Sequence, residues 1–169
     1  MKLRYRKIKM DEADEVFLLL KESAEWLKDK EIDYWQEWHS PPEPYKEWIL
    51  EGIRKEELYF AFDDVNIVGM YRLQYEDEIF WGKRTDKAGY IHSLTTKREY
   101  SGKGIGTEIL QDIEKELNDN GVVYLRLDCG SKVAGLRKYY EEYGFNAVGE
   151  VSLFGETLTL YEKEIVKTA

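Results

Sequence analysis

A chain of 169 residues is long enough for one ordinary domain and short for two, so we expect a single domain over residues 1–169. Hydrophobic residues make up 43% of the chain and aromatic residues 14%, which excludes a disordered protein. Asp and Glu outnumber Lys and Arg by 34 to 25, and this net charge of -9 argues against a nucleic-acid partner. An acidic surface suits a cationic substrate, or simply keeps the protein in solution.

The location of the protein in the cell is predicted from sequence features that are absent. The basic residues 1–7 are not followed by an apolar region, which argues against a signal peptide. No apolar run approaches the roughly 18 residues of a membrane span. The single Cys129 excludes an internal disulfide and a multi-cysteine metal site. We therefore expect a cytoplasmic protein with no membrane partner and no metal.

The first half of the chain predicts a strand, two helices and a hairpin. Residues 2–9 alternate as a strand does, and Asp11 is placed to cap a helix with an apolar face. Pro44 favours the start of a second helix, since proline fits the first turn. Residues 58–62 and 67–74 flank a polar turn, which indicates a β-hairpin.

The second half begins with a charged segment, residues 76–87, for which we expect a loop. The elements predicted after it are a strand over 90–96, a helix over 105–118, a strand over 122–128, a helix over 136–143, and strands over 145–148 and 158–165. No repeat or linker interrupts them. The pattern predicts one mixed α/β domain.

Three glycines alternate at the turn between the strand over 90–96 and the helix that follows it. Gly102, Gly104 and Gly106 let the backbone turn sharply and let a ligand approach without a Cβ in the way. The first N–H groups of a helix point into such a turn and favour an anion, typically a phosphate. The turn therefore predicts a site for the diphosphate of a nucleotide or coenzyme, with a plain connector as the alternative.

Two common phosphate motifs do not fit this turn. A Walker loop needs four residues between its glycines, but Lys103 directly follows the first glycine. The dinucleotide pattern needs glycine at position 107, which is Thr107. The remaining pattern is G-x-G-x-G, with the lysine adding a positive charge.

This turn and a later segment together resemble the GNAT superfamily of acetyl-CoA-dependent N-acyltransferases. Residues 101–106, S-G-K-G-I-G, correspond to its (Q/R)-x-x-G-x-(G/A) unit, and residues 140–145, Y-E-E-Y-G-F, to its Y-x-x-x-G-F helix end. The match covers residues 88–149 closely. The resemblance implies an α/β fold with a mixed, mostly antiparallel central sheet flanked by helices, and acetyl-CoA as co-substrate.

The resemblance also implies particular coenzyme contacts. Leu94, Thr95 and Thr96 match the strand whose backbone pairs with the pantetheine arm. Tyr140 matches the tyrosine that protonates the departing thiolate in many members. The residues that match the diphosphate loop are Ser101, Gly102, Lys103, Gly104, Ile105, Gly106 and Thr107. Ser101 stands where the family usually has Gln or Arg, so one long donor side chain is missing.

Proton transfer needs further side chains. His92 is the candidate general base, because a histidine on the strand before the turn titrates near neutral pH; a structural histidine is the alternative. The alternative for Tyr140 is a plain aromatic core stripe with Tyr139 and Tyr143. Asp128 is either a second proton acceptor or a turn ligand. Cys129 beside it is expected to be a buried small side chain rather than a nucleophile.

These residues predict an N-acetyltransferase. It would move an acetyl group from acetyl-CoA to a primary amine of a small molecule or peptide, by direct attack in a ternary complex. The alternative is a non-catalytic acyl-CoA-binding sensor or interaction module. Similar proteins are commonly dimers, so a homodimer is possible. No motif identifies the amine.

Overall fold

The computed structural model describes residues 2–165, which form a seven-stranded sheet with helices. The strands are Arg4–Lys7 (β1), Leu58–Asp63 (β2), Asn66–Gln74 (β3), Ala88–Thr96 (β4), Tyr124–Gly130 (β5), Asn146–Leu153 (β6) and Glu156–Glu164 (β7). The α-helices are Ala13–Asp29 (α1), Glu43–Arg54 (α2), Glu78–Trp81 (α3), Ile105–Asp119 (α4) and Ala134–Tyr143 (α5). Short 3₁₀ turns lie at Met10–Glu12, Gln36–His39 and Arg98–Tyr100.

The strand order is β1-β2-β3-β4-β5-β7-β6. β2 pairs antiparallel with β1 and β3, and β7 pairs antiparallel with β5 and β6, whereas β4 pairs parallel with β5. The expected mixed, mostly antiparallel sheet flanked by helices is confirmed. The predicted hairpin is also confirmed, with Asp63 opposite Asn66 at its turn.

The backbone divides into two compact units, and the first contains residues 2–72 and Ser93–Ile109. Its core is formed by the apolar faces of α1 and α2 with β2 and β3. Val16, Leu19 and Leu20 are fully buried there, because positions three and four apart share one face of a helix.

The start of α1 differs from the sequence prediction. Asp11 does not cap the helix; it lies inside the preceding 3₁₀ turn. The neighbouring carboxylate of Glu12 accepts the Lys9 N–H at 2.9 Å and both terminal nitrogens of Arg6 at 2.8 and 2.9 Å. These bonds lower the pKa of Glu12 to about 2, with the Arg6 hydrogen bond as the main cause.

The second unit contains Leu73–His92 and residues 110–165. Its most unusual feature is the guanidinium of Arg126, which is only 1% exposed. Asp86 accepts two hydrogen bonds from it at 2.9 and 2.7 Å, Glu162 accepts one at 2.8 Å, and Tyr90 Oη accepts one at 2.9 Å. A buried cation in such surroundings is stable only because each of its donors has an acceptor.

The segment 76–87 is not entirely a loop. α3 forms within it because the side chain of Asp77 accepts the Phe80 N–H at 3.4 Å, as an N-cap does. Trp81, at the end of this short helix, is buried with Tyr90 and Leu160. Burial of Trp81 thus anchors this short helix, although the segment around it is charged.

β4 is irregular in its second half. Ser93 has a φ of 55°, a left-handed conformation that interrupts the strand and its alternation of faces. The parallel ladder with β5 is formed by Ala88–Tyr90.

Among residues 2–165, none of the helices is both long and apolar enough to cross a membrane.

Candidate active site

The glycine turn lies in the first unit, between the 3₁₀ turn Arg98–Tyr100 and α4. Gly102 and Gly104 have φ values of 79° and 74°, which an L-residue adopts only with strain. A Cβ built on either glycine would meet no atom within 4 Å, so the space beside the turn is open. Glycine is therefore required here by backbone conformation, and not by crowding from the protein itself.

The N–H groups of this turn are available to a ligand. Within residues 2–165, the backbone N–H groups of residues 102–106 donate to no backbone carbonyl. The first regular bond of the helix runs from the Glu108 N–H to the Gly104 carbonyl at 3.0 Å. α4 is held in place by a fully buried stripe that begins with Ile105 and Ile109. The turn thus presents N–H groups that have no backbone acceptor at a fixed helix start, which suits an anion.

α1 holds the chain just before this turn. The carboxylate of Glu22 accepts the Arg98 N–H at 2.7 Å, and the Arg98 guanidinium lies 4.5 Å from the ring centroid of Trp26. The same guanidinium donates to the Thr96 carbonyl at 3.2 and 3.0 Å. The bond from the Arg98 N–H to Glu22 connects residues 76 positions apart, and no local sequence pattern predicts it.

The three strand residues predicted to contact pantetheine lie at the end of β4. Thr95 is buried, and Leu94 and Thr96 are half-buried. The Thr95 carbonyl approaches β3 so closely that a Cβ at Gly69 would lie 2.6 Å from its oxygen. The hydroxyl of Thr95 donates to the Ser93 carbonyl at 3.0 Å and so bridges the left-handed residue.

His92 lies in the second unit between two carboxylates. Its Nε2 is 2.7 Å from Asp77 Oδ2, and its Nδ1 is 3.8 Å from Asp128 Oδ2. The three side chains are 9%, 6% and 9% exposed, respectively. The Phe80 ring lies against the imidazole, with 4.7 Å between the ring centroids. Carboxylates thus approach opposite nitrogens of one desolvated ring.

Asp128 is the member of this cluster with unsatisfied bonding capacity. Its Oδ2 is buried and has no hydrogen-bond partner among the described residues. The pKa of Asp128 is raised to about 6, mainly by burial; His92 opposes this shift and the nearby Asp77 adds to it. Asp128 lies inside β5, where it is opposite Leu160 of β7, and not at the end of the strand.

Cys129 follows Asp128 and is fully buried. Burial raises the pKa of its thiol to about 12, so the thiol stays protonated at neutral pH. The expectation of a buried small side chain is confirmed.

Tyr140 lies on α5 in the second unit and is 7% exposed. Its ring centroid is 5.5 Å from that of Tyr139, 5.7 Å from Phe145 and 6.2 Å from Tyr161. The aromatic packing expected from the spacing is therefore present. These contacts fix the position of the ring. The role of the hydroxyl as proton donor to the thiolate stays a prediction.

The comparison with known proteins decides the family. The model of the acetyltransferase (GNAT) family matches residues 19–145. The chain belongs to the GNAT acetyltransferase family. A curated relative, the uncharacterized N-acetyltransferase YesJ of Bacillus subtilis (strain 168), is 25% identical over 160 residues, which cover 92% of this chain and 86% of YesJ.

Solved GNAT structures share the fold. The GNAT family acetyltransferase from Listeria monocytogenes 4b F2365 superposes with a TM-score of 0.76 at 23% identity, covering 96% of this chain and 94% of that one. AAC(6')-Ib, solved in complex with ribostamycin and coenzyme A, has a TM-score of 0.74 at 19% identity, covering 97% of this chain and 94% of its own.

The sequence predicted part of this candidate site and missed part. It named His92 and Asp128 separately, and the structure brings them together. It placed Asp77 in a loop and gave it no role, although an Asp just before Glu78–Trp81 has the form of a helix N-cap. Glu22 carried no signal, because its partner is the backbone of a distant residue.

Proposed function

We propose that this GNAT acetyltransferase moves an acetyl group from acetyl-CoA to a primary amine of a small molecule or peptide, by direct attack in a ternary complex. The observation that carries the proposal is the turn before α4. Gly102 and Gly104 hold left-handed conformations beside open space, and the N–H groups of residues 102–106 have no backbone acceptor. Such a turn fits the coenzyme diphosphate, and Lys103 adds a compensating charge.

The rest of the coenzyme is assigned to β4. Leu94, Thr95 and Thr96 lie at the end of β4, and we assign their backbone groups to the amides of a pantetheine arm. Ser101, Ile105, Gly106 and Thr107 complete the proposed diphosphate site. The coenzyme A named with AAC(6')-Ib supports this assignment, since that protein shares the fold.

The chemistry requires a neutral amine. A lysine-like amine with a pKa near 10.4 loses its proton at a cost of about 4 kcal/mol at pH 7.5, at 1.36 kcal/mol per pKa unit. We assign proton removal to His92 and its carboxylate neighbours. The C–N bond then forms as the C–S bond breaks, and Tyr140 supplies a proton to the thiolate. Positioning of the amine against the thioester provides most of the acceleration.

The acceptor is proposed as an amine on two grounds. The curated relative is named an N-acetyltransferase, and AAC(6')-Ib was solved with ribostamycin, an aminoglycoside. The net charge of -9 favours a cationic acceptor over an anionic one. A peptide amine and a homodimer remain predictions.

Two measurements test the proposal. Calorimetry with coenzyme A and acetyl-CoA measures binding, and a thiol-release assay over a panel of amines measures transfer. We expect binding together with amine-dependent release. Tyr140→Phe lowers kcat and leaves coenzyme binding unchanged, whereas Tyr139→Phe on the same helix leaves both unchanged. Binding without release from any amine favours the sensor alternative, and absence of binding refutes the coenzyme site.

A further inference from the structure

We propose that Asp77, His92 and Asp128 form a buried proton-relay chain, in which Asp77 positions the ring of His92 and Asp128 shares a proton with its other nitrogen. This inference rests on the proposed function, because it assigns the route by which the acceptor amine loses its proton. It adds Asp77 as a positioning residue and Asp128 as the proton acceptor.

The contacts of the two carboxylates form a continuous relay through the ring of His92. Asp77 Oδ2 is 2.7 Å from His92 Nε2, and Asp128 Oδ2 is 3.8 Å from Nδ1. The ligand atoms of the three residues lie within 4.8 Å of one another, a spacing that also occurs around metal ions. One ion cannot take both nitrogens of the same imidazole, however, so carboxylates on opposite nitrogens favour proton transfer over chelation.

The position of Asp77 is fixed independently of His92. Its other oxygen, Oδ1, accepts the Phe80 N–H at 3.4 Å, and the Phe80 ring lies against the imidazole. Asp77 accepts from Nε2, which places the ring proton on that nitrogen and leaves the lone pair of Nδ1 facing Asp128. This is how a carboxylate sets the tautomer of a catalytic histidine.

The second half of the relay, between His92 and Asp128, requires one more proton. An ionised Asp128 would face the lone pair of Nδ1 with no donor at its buried Oδ2, which costs free energy. A proton held between Nδ1 and Oδ2 removes this conflict, either as imidazolium with carboxylate or as imidazole with carboxylic acid. Two titratable groups that face this proton are Asp77 from the start of α3 and Asp128 from β5. Cys129 beside Asp128 remains a thiol and takes no part.

The proposed use in acetyl transfer balances as follows. The ammonium of the acceptor gives one proton to the chain in its deprotonated form, in which Asp128 is a carboxylate and His92 is neutral. The neutral amine attacks the thioester carbon, the C–N bond forms, and the C–S electron pair leaves on sulfur. The thiolate takes a proton from Tyr140. After attack the nitrogen loses its second proton, which returns through solvent to Tyr140, and the relay releases to solvent the proton that it took from the ammonium before the next cycle.

The tautomer of His92 can be measured without any catalysis. The chain has only two histidines, and His39, whose Nε2 is 3.0 Å from Gln36 Oε1, serves as the internal reference. We expect ¹⁵N spectra of the coenzyme-free protein at pH 8 to show the proton of His92 on Nε2. In Asp77→Asn a mixture of both tautomers is expected. A neutral ring that carries its proton on Nδ1 and none on Nε2 in the wild-type protein overturns the relay.

The catalytic use of the chain is tested with Asp128→Asn. We expect its kcat for amine acetylation to fall about 100-fold at pH 7, the typical scale of acid–base catalysis, with unchanged affinity for coenzyme A. The loss shrinks as pH rises towards the pKa of the free amine, since the substrate then ionises without help. Asp86→Asn is the control, because it removes a carboxylate that binds Arg126 rather than His92. Any loss of kcat in this variant is expected not to shrink as the pH rises.

Several results separate failure of the relay from failure of the proposed function. An unchanged rate and pH profile in Asp128→Asn, in a protein that does transfer acetyl groups, overturns the relay alone. Zn²⁺ binding by calorimetry that disappears in Asp128→Asn also overturns it, in favour of a metal site. A wild-type protein that binds coenzyme A and acetylates no amine overturns the proposed function, and the ¹⁵N spectra still decide the hydrogen bonds of the chain.

Discussion

Adding one methyl group at the turn before α4 would show how far the turn serves folding and how far it serves coenzyme binding. Gly104→Ala places a Cβ at a residue with φ of 74°, where it meets no protein atom within 4 Å. The cost to folding is therefore backbone strain alone, roughly 1–2 kcal/mol. For a chain of this size that lowers Tm by roughly 2–8 °C.

Gly121→Ala is the matched control for this change. Gly121 has φ of 71°, its Cβ would also meet no atom within 4 Å, and it follows the far end of the same helix. Both variants should lose the same stability. The new methyl group of residue 104 alone would occupy the space assigned to the coenzyme diphosphate.

The expected loss of binding follows from the contacts displaced. A hydrogen bond to a charged group contributes about 1.5–3 kcal/mol, so loss of one N–H to phosphate contact weakens binding about 10- to 150-fold. Scanning fluorimetry gives Tm for both variants, and calorimetry gives Kd for coenzyme A. Equal affinities in Gly104→Ala and Gly121→Ala would show that the diphosphate binds elsewhere, and the proposed function would lose its main support.

Three further changes have definite expected outcomes. Arg126→Met leaves two carboxylates without their cation and should cost about 3–5 kcal/mol in urea unfolding; a loss below 1 kcal/mol contradicts the account of the buried network. Glu22→Ala removes the acceptor of the Arg98 N–H and should weaken coenzyme binding several-fold with a near-native Tm; unchanged Kd contradicts it. Asp128 has a folded pKa of about 6, above its unfolded value, so ionisation destabilises the native state. Asp128→Asn should therefore be more stable than wild type above pH 6, by at most about 3 kcal/mol, and lose that advantage towards pH 4.

The elements of the fold were largely predictable because their periodicity is local. Apolar residues three and four positions apart predict the buried face of α4, and alternation every two residues predicts the hairpin of β2 and β3. β6 was predicted too short, since only its first residues carried an apolar pattern and its observed extent comes from pairing with β7. Pairing along an exposed edge strand leaves little trace in composition.

The site was predictable where a backbone conformation demanded glycine, and less so where distant side chains meet. Gly102 and Gly104 were identifiable because few other residues adopt their φ values. The cluster around His92 depends on β4 lying beside β5 and on a four-residue helix inside a charged segment. Those contacts span 15 residues to Asp77, and the sequence contains no spacing rule for them.

The bond from Glu22 to the Arg98 N–H connects the proposed coenzyme turn to α1. With coenzyme bound at that turn, a ligand that shifts this helix would change the geometry of the donors that follow Arg98, and thermodynamic linkage would make the effect mutual. Whatever factor an acceptor gained from bound coenzyme, the coenzyme would gain from bound acceptor. One carboxylate would thus couple the affinities of two substrates, whichever of them binds first.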